Sequence, residues 1–182
     1  MNKLEIQTDR LTLRLIVNTD VEVIHRLHCL PETDEFNTLG IPENVQETHE
    51  VITPWIEANN VPNIRNYTFA IQHKTNNEFI GLFGLRLGPK KYNRAEVWYK
   101  LHLDYWSKGY ATESLKAVLN YGFDVLKLHR IEAGCAVDNI GSAKVMEKVG
   151  MKQEGRKRKI LPLQSGWSDS FEYAILETDL RS

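Results

Sequence analysis

The residues of this sequence best suited to gripping a ligand are Ser107-Lys108-Gly109-Tyr110-Ala111-Thr112. Small side chains stand there at the expected start of a helix. The first N–H groups of a helix have no intrahelical acceptor and the helix dipole makes that end partly positive, so a phosphate can settle on the main chain if nothing bulky intervenes. Close packing would favour the same small residues. Neither the G-x-x-x-x-G-K-[ST] loop of nucleotide triphosphate sites nor the G-x-G-x-x-G of dinucleotide folds is present. Other reactive side chains point to ordinary structure. Cys135 lies in an alternating run whose odd positions are apolar, where a thiol packs rather than attacks. Cys29 and Cys135 have neither a C-x-x-C spacing nor a framework around them, which argues against a disulfide or a thiolate metal site. His25 and His28 can share a helix face, but without a third ligand they are expected on the surface and no zinc or other metal is expected. The basic run Arg156-Lys157-Arg158-Lys159 is expected to be a solvated strand edge that discourages edge pairing, with RNA contact as the lesser reading.

The elements that position these residues follow from periodicity. Leu11, Leu13 and Leu15 alternate with Thr12 and Arg14, which predicts a half-buried strand. Thr19 with Glu22 has the form of a capping box, and Val21, Ile24, Leu27 and Leu30 then predict a helix running toward Pro31. Val51, Ile52, Trp55 and Ile56 suggest another helical face, with Pro54 marking its start or a kink. Tyr67, Phe69 and Ile71, a turn at Thr75-Asn76-Asn77, and residues 79–87 form a hairpin. After Asn93 the odd positions Ala95, Val97, Tyr99, Leu101 and Leu103 face one way, and Glu96, Trp98, Lys100 and His102 the other. Ala111, Leu115, Val118, Leu119, Gly122, Phe123 and Leu126 define the longest helix. A strand over 130–137, a helix capped by Asn139 and stopped by Gly150, and strands over 151–160 and 169–176 complete the chain. Neither internal repeats nor low-complexity linkers interrupt it. The expected fold class is therefore α+β: one domain over residues 1–182, with a mixed, mostly antiparallel twisted sheet of about seven strands and flanking helices.

Composition narrows the function classes. Lys plus Arg (23) nearly balance Asp plus Glu (24), so nothing global points to nucleic acid, and no stretch approaches the roughly 20 apolar residues that span a bilayer. A cytoplasmic address is the expectation.

Taken together, the motifs are more specific. Residues 106–113 run WSKGYATE and residues 139–151 run NIGSAKVMEKVGM. Both resemble the GCN5-related N-acetyltransferases (GNAT), in particular the branch of ribosomal-protein alanine N-acetyltransferases (the RimJ/RimL type). Thr8-Asp9-Arg10-Leu11-Thr12-Leu13-Arg14 is similar to the usual opening of that branch, and Trp167, Asp169 and Tyr173 to its usual end. Trp106 replaces the glutamine or arginine that commonly begins the Q/R-x-x-G-x-G/A motif, while Gly109 and Ala111 are in place. The resemblance implies acetyl-CoA as acyl donor, its pyrophosphate on main-chain amides of Ser107, Lys108, Gly109, Tyr110, Ala111 and Thr112. It also implies a pantetheine arm lying as an extra strand along Leu101 and Leu103, Asn139 and Ser142 near the thiol, and Lys144 or Lys148 near phosphate or adenosine.

Acyl transfer to an amine needs a neutral nucleophile, stabilisation of the developing oxyanion, and a proton or hydrogen bond for the departing thiolate. Glu96 matches the glutamate often found on the corresponding strand of relatives and is the candidate base, the bland alternative being a solvated pair with Lys100. Ser142 is the candidate acid, the alternative being that it and Asn139 only cap their helix. A main-chain N–H near Leu101 would serve the oxyanion. Trp98, Trp106 and Trp167 either line an acceptor pocket or pack in the core. The expected function is acetyl transfer to a primary amine, a protein N-terminus or a small molecule, by direct attack in a ternary complex. A non-catalytic acyl-CoA sensor or scaffold is the alternative, and an RNA-contacting module ranks behind both. Residues 31–66 are expected to shape the acceptor pocket, and monomer and homodimer both remain open.

Overall fold

The structure is a computed structural model that describes residues 4–179, so the outermost residues of the expected 1–182 domain, 1–3 and 180–182, lie outside the described residues. Eight strands form one sheet in the order β1-β2-β3-β4-β5-β6-β8-β7: β1 (Glu5–Gln7), β2 (Leu11–Leu15), β3 (Asn66–His73), β4 (Phe79–Leu87), β5 (Arg94–Leu101), β6 (Arg130–Ala136), β7 (Lys152–Leu163) and β8 (Gly166–Leu176). The strand beyond the expected seven is β1, which adds to β2 as a three-residue edge and is too short to show a period. Neighbours are antiparallel except β5 and β6, which run parallel because helix α4 (Tyr110–Asn120) crosses between them.

Both faces of the sheet are covered. On one, α4 and α5 (Ile140–Lys148) bury Leu115, Val118, Leu119, Ala143 and Met146 against Leu11, Leu13, Phe69, Phe83, Ala95, Val97 and Ile131. On the other, α1 (Val21–His28) and α3 (Val45–Asn59) bury Ile24, Leu27, Ile52 and Ile56 against Ala70 and Leu82. Alternation of side chains along each strand supplies the two apolar faces. After Asn120 the α4 path widens into a π-helical turn, Tyr121–Val125. A Cβ on Gly122 of that turn would stand 2.6 Å from Ile131 Cδ1, so the glycine permits the close approach of helix to sheet.

Two local expectations are corrected. Thr19 and Glu22 do not form the cap of α1: a 3-10 turn (Asn18–Asp20) precedes the helix, and Asp20 accepts from Arg14 Nη1 and Nη2 (2.8 and 2.7 Å) and from the Val17 N–H (2.9 Å). Nor does Pro54 start a helix. It lies inside α3, which starts nine residues earlier, after the Asn44 side chain that caps the Glu47 N–H (3.0 Å). Losing one amide costs less than the burial of Ile52 and Ile56 returns, and Asn59 fastens the helix end to β3 through both the N–H and C=O of Thr68 (3.0 and 2.9 Å). Pro31 opens the short α2 (Pro31–Asp34), where a missing N–H is harmless.

Candidate functional site

The site begins with an unpaired strand edge. The His102 N–H bonds the Ile80 carbonyl (2.9 Å) and the Gly88 N–H bonds the Arg94 carbonyl (2.8 Å). Antiparallel bonding alternates along a strand, so even-numbered residues of β5 direct their main-chain groups at β4 and odd-numbered ones at the opposite edge. Ala95 and Val97 meet β6 there, but the pairing stops at Val97 opposite Ala133. Beyond that point the main-chain groups of Tyr99 and the N–H of Leu101 face a gap. The Leu101 carbonyl is taken by the Trp106 indole N–H (2.8 Å).

At the mouth of the gap the chain turns into α4 through two left-handed residues, Ser107 (φ 59) and Gly109 (φ 81). Glycine occupies such a conformation freely, whereas a serine there is strained, and strain of this kind persists where the surroundings hold it. The first i→i−4 bond of the helix is Glu113 N–H to Gly109 C=O (3.0 Å), so the amides before it have no intrahelical acceptor, the arrangement that can receive an anion. A clamp holds this turn to the start of β2. The Glu113 carboxylate accepts from the Thr8 hydroxyl (2.6 Å), the Arg10 N–H (2.9 Å) and Arg10 Nε (2.7 Å), while Arg10 Nη1 donates to the Lys108 carbonyl (3.1 Å). Arg10 also lies 4.4 Å above the Tyr110 ring. Burial pushes the Glu113 carboxyl up, but the bonds from Thr8 and Arg10 outweigh it and hold it below the ordinary range.

A second helix start converges on the same place. The Asn139 side chain accepts from the Ser142 N–H (3.0 Å) and caps α5. The Ser142 hydroxyl lies 2.7 Å from the phenol oxygen of Tyr99, whose ring stacks on Phe83 (5.8 Å). Tyr99, Leu101, both helix starts, Lys144 and Lys148 line one cleft of about 450 Å³. Its other wall is α2 and the residues after it: Glu32, Thr33, Phe36 and Asn37. Lys100 reaches this side, buried, its Nζ without a hydrogen-bond partner among the described residues. Burial lowers its pKa, and nearby Asp34 opposes that.

Of the residues expected from sequence, Leu101, Ser107, Gly109, Tyr110, Ala111, Thr112, Asn139, Ser142 and Lys144 line the cleft. The other three differ in placement. Leu103 is not on the strand but in a 3-10 turn (Leu103–Tyr105), because β5 ends at Leu101. Lys108, expected through its main-chain amide, lies in the turn between the cleft residues Ser107 and Gly109, its side chain over the Tyr105 ring (5.7 Å). Glu96 does not line the cleft: its carboxylate is half exposed and bonded to Arg86 on the neighbouring strand.

The buried thiol of Cys135 is pushed up to about 11, as suits packing. His28 is not a surface residue: it is buried against Trp55 (6.3 Å), its pKa lowered to about 4 by burial and by Lys100 and His25. His25 meets the Thr48 hydroxyl (2.8 Å). Among the described residues no three His, Cys, Asp or Glu side chains come together to hold a metal, and no helix is long and apolar enough to cross a membrane. The basic run lies on edge strand β7, with Arg156 on Asp169 (2.7 Å) and Lys157 on Glu172 (2.9 Å). Sequence reasoning missed Tyr99 and Glu32 as cleft residues. The odd register of Tyr99 on β5 was the available signal; nothing local marked Glu32.

The family model described as acetyltransferase (GNAT) domain matches residues 10–152. The uncharacterized N-acetyltransferase YnaD of Bacillus subtilis is 32% identical over 179 residues, covering 97% of this chain and 99% of that one. A GNAT-family acetyltransferase from Bacillus anthracis has a crystal structure with TM-score 0.83 and 29% identity, covering 96% of this chain and 99% of the other. The fold is also that of a spermidine N-acetyltransferase from Vibrio cholerae, solved with CoA and spermine, at TM-score 0.82 and 23% identity, covering 94% and 98%.

Proposed function

Since this chain belongs to the GNAT acetyltransferase family and is an N-acetyltransferase, we propose that it moves the acetyl group of acetyl-CoA to a primary amine by direct attack, donor and acceptor bound together. The observation that supports this reading is the meeting, in one cleft, of an unpaired strand edge and two helix N-termini. An extended, amide-bearing arm ending in a pyrophosphate matches that combination of an extra strand's partners and an anion cradle.

Residue roles follow from placement. Main-chain amides of residues 107–112 hold the pyrophosphate, with Lys144 and Lys148 adding positive charge. Tyr99 offers its main-chain N–H and C=O to the arm, and the Leu101 N–H lies where it can stabilise the developing charge on the thioester oxygen. Asn139 fixes the first turn of α5, which presents the Ser142 hydroxyl to the departing sulfur. The acceptor reaches the thioester from the wall formed by residues 32–37. Glu32 is the carboxylate lining that wall and Glu96 the one expected from sequence; the amine's proton leaves to one of them, through water in the case of Glu96. We assign the acceptor to the α-amine of a protein N-terminus, as in the ribosomal-protein branch, or to a small-molecule amine. An α-amine, with a pKa near 8, needs little help from a base, whereas a lysine-like amine near 10.4 needs more.

Thiol release from acetyl-CoA with an alanine-terminated peptide, an amino acid, spermidine and an aminoglycoside tests the reading, with Glu32→Gln and Glu96→Gln alongside. Turnover of one acceptor class is expected, with the base variant losing about 10- to 100-fold in kcat at neutral pH and recovering at high pH. Binding of acetyl-CoA with no thiol release from any amine would overturn the catalytic proposal.

A further inference from the structure

We infer that Tyr99 is a positioning residue for the acyl-transfer step, setting the Ser142 hydroxyl so that its hydrogen points at the departing sulfur. This rests on the acetyl-transfer reading above. Tyr99 reaches Ser142 from the strand, not from α5, and its register fixes the approach: the main chain faces the gap while the ring stacks on Phe83 and its oxygen stands 2.7 Å from Ser142 Oγ. The helix cap holds the other side of the serine, Ser142 N–H to Asn139 Oδ1 at 3.0 Å.

The direction of the hydroxyl bond follows from acidity. A phenol is the stronger acid and the weaker acceptor of the two, so Tyr99 donates and Ser142 Oγ accepts. A serine hydroxyl that accepts from one neighbour has its own hydrogen left to give, and both residues line the cleft. Burial pushes the Tyr99 phenol up to about 12, so it remains a donor across the working pH range. A thiol ionises near 8.5, and carrying a proton from that phenol to sulfur would be uphill by more than roughly a thousandfold. The pair therefore acts through hydrogen bonds. The amine nitrogen bonds the carbonyl carbon; as the carbonyl re-forms and the carbon–sulfur bond breaks, its electron pair goes to sulfur, Ser142 O–H donates to the thiolate, Tyr99 O–H donates to Ser142 Oγ, and the proton lost by the amine reaches the thiolate through solvent.

Tyr99→Phe keeps the ring and its stack on Phe83 and removes only the hydroxyl. Steady-state kinetics on wild type, Tyr99→Phe, Ser142→Ala and the double variant are read beside acetyl-CoA calorimetry and circular dichroism. The expected result is a 10- to 100-fold lower kcat for Tyr99→Phe with KM and Kd for acetyl-CoA within about threefold of wild type, and a double variant no slower than Ser142→Ala alone, because the two side chains act as one unit. Single effects that multiply in the double variant, or a Tyr99→Phe kcat equal to wild type, would overturn the inference while leaving the acyltransferase reading standing. If Tyr99→Phe does not fold, Ser142→Ala and Ser142→Thr decide it: a kcat unchanged in Ser142→Ala overturns the inference, and a kcat lost in Ser142→Ala but kept in Ser142→Thr supports it. Wild type that binds no acetyl-CoA sinks both proposals.

Discussion

Replacing Gly109 by aspartate separates ligand binding from folding more cleanly than any other change at this site. The residue adopts φ 81 at the start of α4, and an added Cβ would meet only Arg10 Nη2 at 3.4 Å. A side chain in that conformation costs about 1 kcal/mol, less for aspartate than for most. Negative charge at a helix N-terminus returns about 0.3–1 kcal/mol. The fold should therefore change in stability by less than about 1 kcal/mol. Binding is another matter. At an effective dielectric constant of about 40, a unit charge roughly 6 Å away costs about 1.4 kcal/mol, so the two charges of a pyrophosphate cost about 3 kcal/mol, near a hundredfold in affinity. Gly109→Ala, with strain and no charge, should lose less than about tenfold. Calorimetric titration of CoA into the three proteins, with urea unfolding as the control, reads both quantities. Gly109→Asp that binds CoA within threefold of wild type, its fold intact, would refute the placement of the pyrophosphate on this turn.

Further outcomes follow from the surroundings of the site. Glu113→Ala removes the acceptor of Thr8 and Arg10 and should cost about 2 kcal/mol of stability, since bonds to a charged group are among the stronger ones; it should also weaken CoA binding by loosening the turn, and a denaturant midpoint equal to wild type would contradict the clamp. Because the Glu113 pKa is lower folded than unfolded, its contribution is complete above the unfolded value near 4.3 and is lost as the pH falls through the folded value. His28 titrates at about 4 in the folded protein and near 6.5 unfolded. The unfolded chain binds more protons between those values, so stability should fall by up to about 3 kcal/mol as the pH drops from 6.5 to 4. Urea unfolding at pH 7 and pH 4.5 measures that loss, which His28→Gln should reduce; an undiminished loss in the variant would show that other groups set the acid limb.

How much of this was legible in the sequence depends on how local each cause is. The order of strands and helices, the hairpin turn at Asn77, the cap at Asn139 and the left-handed turn at Gly109 that opens α4 are written in short-range patterns: two-residue and 3.6-residue periodicity, capping side chains, and a glycine where φ is positive. Those causes act within a few residues, so the sequence by itself determined them and with them the family. The misreadings came from competition between local and distant interactions. Thr19 and Glu22 have the form of a capping box, but Asp20 answers to Arg14 on the neighbouring strand. Pro54 is a helix breaker by its covalent structure, yet burial of Ile52 and Ile56 holds α3 through it. Only the tertiary structure decided that β5 and β6 part after Val97, that Leu103 has left the strand, that the Glu96 carboxylate pairs with Arg86 outside the cleft, and that Tyr99 meets Ser142 across 43 positions of chain. Each of these depends on which strand lies beside which and in what register, and register is set by the packing of all faces at once and by no residue alone.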